Sequence, residues 1–130
     1  MNKALLASDH LESCDRTATI LGQLGWDVYI VNSEEHLNEH YGDHPDLMLV
    51  DVEMSDGVGF DLILQARRRF PDAFIIATTR GSDRDLWPGL VKMCGASRYM
   101  VGPVSRSKLG GEIDSGMSFG ELSHALGLTG

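Results

Sequence analysis

The sequence predicts an α/β protein, a doubly wound five-stranded parallel sheet with helices on both faces. Three observations carry this. Five short runs rich in apolar and β-branched residues recur along the 130 residues, at 3–7, 27–31, 47–50, 73–78 and 98–101. The stretches between them place apolar residues at helical spacing. The strongest runs, such as Leu47–Val50, are apolar without alternation, as strands buried on both faces of a parallel sheet are.

Each element follows from its residues. Lys3–Ala7 is a first buried strand that stops at Ser8-Asp9-His10. Leu11, Cys14, Ala18, Leu21 and Leu24 then mark a helix closed by Gly25. Asp27–Val31 reads as a second strand. Asn32 or Ser33 caps a short polar helix over residues 34–41, with Glu35 three residues after Asn32 as in a capping box, and Gly42 ends it. His36, His40 and His44 recur every fourth residue there, but without acidic or thiol partners at fixed spacing they read as ordinary histidines, not zinc or nickel ligands.

The third strand, Leu47–Val50, runs into Asp51 and a loop with Ser55, Asp56 and Gly57. Phe60–Phe70 is a helix with a solvated Arg67-Arg68-Arg69 face. The fourth strand, Ala73–Thr78, leads into Thr79 and Arg80. A helix start at Ser82–Asp85 cannot pass Trp87-Pro88-Gly89, because proline lacks a donor N–H, so a shortened helix restarting near Pro88 and ending at Cys94 is expected. Arg98–Val101 is the fifth strand. The helix Ser105–Met117 is weakened by Gly110, Gly111 and Gly116, each costing about 1 kcal/mol against alanine. Ser118 and Glu121 suggest a separate short helix in a C-terminal extension, residues 118–130, beyond a main unit of residues 1–117.

Composition bounds the function. Nineteen acidic against 11 basic residues give a net charge of −8, which opposes direct nucleic-acid binding and suits a divalent cation or a basic partner. No apolar run is long enough to span a membrane and the N-terminus does not read as a signal peptide, so a cytoplasmic location is expected. Cys14 and Cys94 are far apart and read as reduced, partly buried thiols.

With so few units the expected strand order is flavodoxin-like, 2-1-3-4-5. That order sets the ends of strands one and three side by side. Asp9 and Asp51 would then face one cleft, with Thr79 entering from strand four. Taken alone, Asp51 reads equally well as a turn or capping aspartate. Paired with Asp9 it meets repulsion unless one carboxylate is protonated or a cation lies between them, and an all-oxygen site of this kind suits Mg²⁺. Carboxylate nucleophile, metal and hydroxyl are parts for phosphoryl transfer onto Asp51.

At these positions the chain resembles the response-regulator receiver domains of two-component signalling. The resemblance rests on Ser8-Asp9, on DLMLVDVEM with Asp51, on Gly59 eight residues later, on PDAFIIATTR with Thr79, and on GASRYMVGPV with Tyr99. It implies that Asp9, Asp51 and the backbone carbonyl of Glu53 bind Mg²⁺. It also implies that Asp51 takes a phosphoryl group from a histidine kinase or histidine phosphotransfer protein, and that Thr79 and Tyr99 are switch residues. The domain would be stand-alone, not a conventional enzyme, meeting an output protein through the surface of helix four, strand five and helix five, with a homodimer left open.

Four positions depart from the family pattern. Ser8 stands where a second acidic residue is usual, Ser55 replaces a proline, and Arg80 replaces a small residue. Gly102 stands where the family has a lysine, whose unit-charge contact with the phosphoryl group, at about 4 Å, is worth up to about 4 kcal/mol at an effective dielectric of about 20. Arg80 is a candidate for the missing charge, reaching over the cleft to Glu53 or Asp51; the plainer alternative is a solvated arginine. The rival function is a pseudo-receiver that is never phosphorylated and serves as a protein-interaction module. A flavin or nucleotide binder fits poorly, since no glycine-rich phosphate loop follows strand one. His124, in a segment faintly like a phosphorylatable-histidine box, reads as an ordinary helix residue.

Overall fold

In the computed structural model, residues 2–40, 44–54, 59–80 and 86–125 are described. They form β1 (Lys3–Ala7), α1 (Leu11–Gln23), β2 (Asp27–Val31), α2 (Glu34–Glu39), β3 (Leu47–Asp51), α3 (Gly59–Arg69), β4 (Phe74–Thr78), α4 (Trp87–Cys94), β5 (Arg98–Met100) and α5 (Arg106–Ala125). All pairings are parallel and the sheet order is β2-β1-β3-β4-β5, as the strand pattern predicts. The expected Gly42, Ser55, Asp56, Gly57 and Ser82–Asp85 features lie outside the described residues.

Sequence explains the sheet's layering. Every residue of β3 is buried, because helices cover both faces of this central strand. Leu5, Met48, Val50 and Ile75 pack on one face with Leu37, Leu62, Ile63 and Val91 from α2, α3 and α4. Leu6, Leu49 and Ile76 pack on the other with Cys14, Leu21, Leu109 and Ile113 from α1 and α5. Each fully buried aliphatic side chain contributes roughly 1.5–3 kcal/mol, so two such layers hold the strand ends rigidly at one edge of the sheet. Edge strand β2 leaves Tyr29 and Ile30 exposed.

The helix ends are chemically specified. His10 caps α1, and at its other end Gly25, at φ +93°, lets Trp26 N–H donate to Leu21 O at 3.0 Å. Ser33, not Asn32, caps α2: its hydroxyl accepts from His36 N at 3.0 Å, so the Asn32–Glu35 capping box does not form. α4 starts at Trp87 with Pro88 in its first turn, where a missing N–H is harmless, and ends at Gly95 with φ +114°.

Two expectations need correction. Arg67 is not solvated. Its Nε donates to Gly95 O at 2.8 Å, its Nη1 to Pro71 O and Ala73 O at 2.9 Å each, and its Nη2 to Ser97 Oγ at 3.2 Å. It pins the end of α3 to the turns around β4 and β5. A side chain on Gly95 would strike Arg67, which explains the glycine. The final helices are also one: α5 runs unbroken to Ala125, with Ser118, Glu121 and His124 falling on the stretch described by its backbone. Part of the reason α5 accepts its glycines is packing, since a Cβ on Gly116 would overlap the Phe74 ring.

Candidate functional site

The carboxyl ends of β1, β3 and β4 meet where the topology places them. Asp51 is the last residue of β3, and Val52 N–H extends the ladder to Thr78 O at 2.9 Å. Gly59, opening α3, lies so close to this backbone that a Cβ would stand 2.6 Å from Asp51 O and Val52 Cα. The turn carrying Asp51 is thus fixed by backbone packed on backbone. Ser8, just past β1, is held by its N–H to Val31 O at 3.1 Å, and its hydroxyl accepts from His10 N at 3.2 Å.

The Asp51 carboxylate is almost fully buried, at 5 % exposure, and three groups converge on it. Glu53 N–H donates to Oδ1 at 2.9 Å, Ser8 Oγ donates to Oδ2 at 3.4 Å, and Arg80 Nε lies 3.5 Å from Oδ2. Burial pushes the Asp51 pKa above the ordinary carboxylate value, a shift opposed by the Glu53 N–H, the Arg80 charge and the Ser8 hydroxyl.

Arg80 does reach over the cleft. Its Nη2 donates to Glu53 O at 2.7 Å, while its own backbone N–H donates to Glu53 Oε1 at 3.0 Å. Arginine and glutamate therefore grip each other through side chain and main chain at once. The guanidinium side chain is 30 % exposed, so its charge is only partly screened by solvent.

Beside Asp51 a cavity of about 240 Å³ opens between the strand ends and α1, lined among others by Ser8, Cys14, Thr17, Asp51, Thr79 and Gly102. Thr79 is 2 % exposed, and its buried hydroxyl finds no hydrogen-bond partner among the described residues. A buried, unpaired hydroxyl is costly and marks a place where an acceptor belongs. Gly102, at φ +84°, has open space where a Cβ would stand, so its glycine reflects the left-handed backbone and not crowding.

Of the predicted site residues, Asp51, Thr79, Arg80 and Gly102 line this one cavity. Asp9 is exposed past the end of β1, outside the cavity wall. Tyr99 is half-buried and packs against the α2–α4 side of the core, also outside the wall. Glu53 contributes its N–H to Asp51 and its carbonyl to Arg80. Asp51 Oδ2 and Glu53 O, hard oxygen donors of the kind that suit a divalent cation, already converge on a cationic group. His36 and His40 instead meet at a 47° tilt with 5.6 Å between ring centroids, and among the described residues no group of three or more His, Cys, Asp or Glu side chains is placed to hold a metal ion by itself.

Sequence reasoning missed the α1 wall. Cys14 and Thr17 sit three residues apart, the spacing that puts them on one helix face, and that face meets the strand ends. Ser8, read as a lost acid, is a hydroxyl donor to Asp51.

Comparison with known proteins agrees with this fold. The transcriptional regulatory protein CpxR of Klebsiella pneumoniae is 31% identical over 109 residues, 84% of this chain and 46% of CpxR. CpxR of Escherichia coli K12 matches over the same extent. The chain thus spans about half the length of these curated relatives. Among solved structures, a CheY-like receiver domain protein from Methanospirillum hungatei superposes with a TM-score of 0.82 at 23% identity, covering 95% of this chain and 98% of that one. A response regulator from Burkholderia pseudomallei, solved with a phosphorylated aspartic acid, calcium and citrate, superposes with a TM-score of 0.80 at 20% identity, covering 97% of this chain and 74% of that one. The response regulator receiver domain model matches residues 4–114, a span that holds the acidic strand ends, the Thr79 cavity and Gly102, and the chain belongs to that family.

Proposed function

We propose that the chain accepts a phosphoryl group on Asp51 from a histidine kinase or a histidine phosphotransfer protein, in a two-component relay. The observation that carries this is the Thr79 hydroxyl, buried without a partner among the described residues and lining one cavity with Asp51. An acceptor oxygen brought in on Asp51 would satisfy it. In the transfer, an Asp51 oxygen forms the new O–P bond while the donor's P–N bond breaks and its electron pair leaves with the imidazole. Glu53 N–H and Ser8 Oγ hold the carboxylate's orientation, and the fixed Gly59 contact keeps its backbone still. Asp9, Asp51 and Glu53 O would hold Mg²⁺, which neutralises developing charge on the phosphoryl oxygens when bound.

Transfer of this kind makes the domain a self-modifying signalling element and not a conventional enzyme. Tyr99 and Thr79 are proposed to relay the modified state to the α4–β5–α5 surface, where an output protein docks. No helix of the described residues is long and apolar enough to cross a membrane. A cytoplasmic site of action is part of the same reading.

One observation favours a second reading. Arg80 already engages both Asp51 and Glu53 O, and position 102 offers no lysine, which suits a pseudo-receiver used for protein interaction alone. The test is incubation with Mg²⁺ and acetyl phosphate, or with beryllium fluoride, followed by mass spectrometry or ¹⁹F NMR. An adduct on Asp51, absent from Asp51→Asn, supports phosphoacceptance; its absence under saturating donor selects the interaction module.

A further inference from the structure

Two oxygen donors at the end of β3 point to one cation, and that cation is part of the chain. The Arg80 guanidinium takes Glu53 O at 2.7 Å through Nη2 and stands 3.5 Å from Asp51 Oδ2 through Nε. These are two of the three oxygens proposed above to hold the divalent ion. We propose that Arg80 is a resident cation which competes with the divalent metal for Asp51 and Glu53 O, so that metal enters only when the guanidinium leaves. The proposal rests on the reading of the cleft as a divalent-cation site and adds how entry to it is controlled.

The physical grounds are local. A Mg²⁺ ion would approach these oxygens to about 2.0–2.1 Å and requires near-ideal octahedral geometry. A guanidinium nitrogen on the same carbonyl would then lie within a few ångströms of a doubly charged ion, with the buried Asp51 side chain limiting the water that could screen them. Both cations cannot keep their contacts. The planar fork of arginine suits this role, because one rigid group spans carbonyl and carboxylate together, which the single ammonium of a lysine does less well.

The structure also supplies a way out. Arg80 is fastened by its backbone N–H to Glu53 Oε1 at 3.0 Å, so the side chain can swing without unseating the residue from the end of β4. At 30 % exposure the guanidinium has solvent to swing into. The consequence is a site occupied by a positive charge at all times, with Asp51 never left as a bare buried carboxylate, and a metal requirement raised above that of a site without the arginine.

The test is Mg²⁺ binding to the intact chain by isothermal titration calorimetry, with Mn²⁺ electron paramagnetic resonance as a second measure, on wild type, Arg80→Ala, Arg80→Lys and Asp51→Asn. Competition predicts at least tenfold tighter Mg²⁺ binding by Arg80→Ala, a smaller gain for Arg80→Lys and weakened binding by Asp51→Asn. In the wild type, saturating Mg²⁺ should move the Arg80 Nε–H resonance to the position of a solvated arginine, a readout that needs no variant to fold. Equal or weaker binding by Arg80→Ala, or an Nε–H resonance unmoved at saturation, overturns the competition while leaving the cation site standing. Failure of every variant to bind Mg²⁺ or Mn²⁺ at tens of millimolar overturns both. None of these readouts depends on phosphorylation of Asp51.

Discussion

Replacing Thr79 by valine should make the unmodified domain more stable. The two side chains are nearly isosteric, so the change leaves the packing at a 2 % exposed position intact and exchanges one buried hydroxyl for a methyl. That hydroxyl has no partner among the described residues, and a buried polar group left unpaired costs about 1–3 kcal/mol. Removing it returns that amount, and the methyl adds a fraction of the roughly 0.8 kcal/mol of a buried methylene. Urea denaturation of metal-free protein should therefore show a higher midpoint at unchanged m-value, worth about 1–3 kcal/mol. The order should reverse in response to a phosphoryl mimic. Wild-type Thr79 gains a charged acceptor when beryllium fluoride occupies Asp51, worth about 1.5–3 kcal/mol, and valine cannot. A Thr79→Val protein that is no more stable than wild type without the mimic would show the hydroxyl to be already satisfied, and would remove the observation on which phosphoacceptance rests.

Other substitutions test other parts of the site and its frame. Gly59→Ala sets a methyl 2.6 Å from Asp51 O and Val52 Cα, backbone atoms with no room to yield, and should cost about 1–3 kcal/mol by denaturation while reducing beryllium fluoride uptake at Asp51. Asp51→Asn should raise stability in metal-free buffer at neutral pH. Because burial raises the folded pKa above 3.8, the contribution of Asp51 to stability is complete below that value and is lost as pH rises through the folded pKa; the variant's advantage should shrink on acidification, and an advantage that is constant with pH would contradict this. Gly111→Ala enters open space and should stabilise α5 by about 1 kcal/mol, whereas Gly116→Ala should destabilise because its methyl overlaps Phe74. Thermal melts of the pair should move in opposite directions.

The strands and their order were readable because each buried strand is a contiguous apolar run whose identity needs no distant information. Asp51 was readable for the same reason, as an acid that ends such a run. What escaped was set by partners far away in sequence. Nothing in Arg67-Arg68-Arg69 marks Arg67 as the arginine that ties down the neighbouring turns; the choice is made by carbonyls at Gly95 and Ala73 and the hydroxyl of Ser97. The three glycines of α5 look alike as local costs, yet Gly116 is required by Phe74 and Gly111 is not. Ser33 outcompeted Asn32 as a cap by one residue, a choice that turns on which extended residue ends β2's exit. Arg80 lay between these cases: its charge beside an acidic cleft was visible in the sequence, while its hold on a backbone carbonyl was not.

Positions 80 and 102 together set where positive charge stands at the site. Gly102 sits at φ +84°, a conformation that an L-residue adopts at a cost of roughly 1–2 kcal/mol, so a lysine restored there would meet a backbone shaped for glycine. The turn is instead held by Lys108, whose Nζ donates to Val101 O at 2.6 Å and so spends its charge on backbone. The cation of the cleft comes from the end of β4, where Arg80 faces Asp51 from the Glu53 side. A lysine after β5 and an arginine after β4 would approach the carboxylate from different loops, and Arg80 also holds the Glu53 carbonyl, a second of the proposed divalent-ion donors. Under the proposed competition, a cation at this place would meet one of the metal's own ligands and so couple acceptor chemistry to metal concentration before any phosphoryl group arrives.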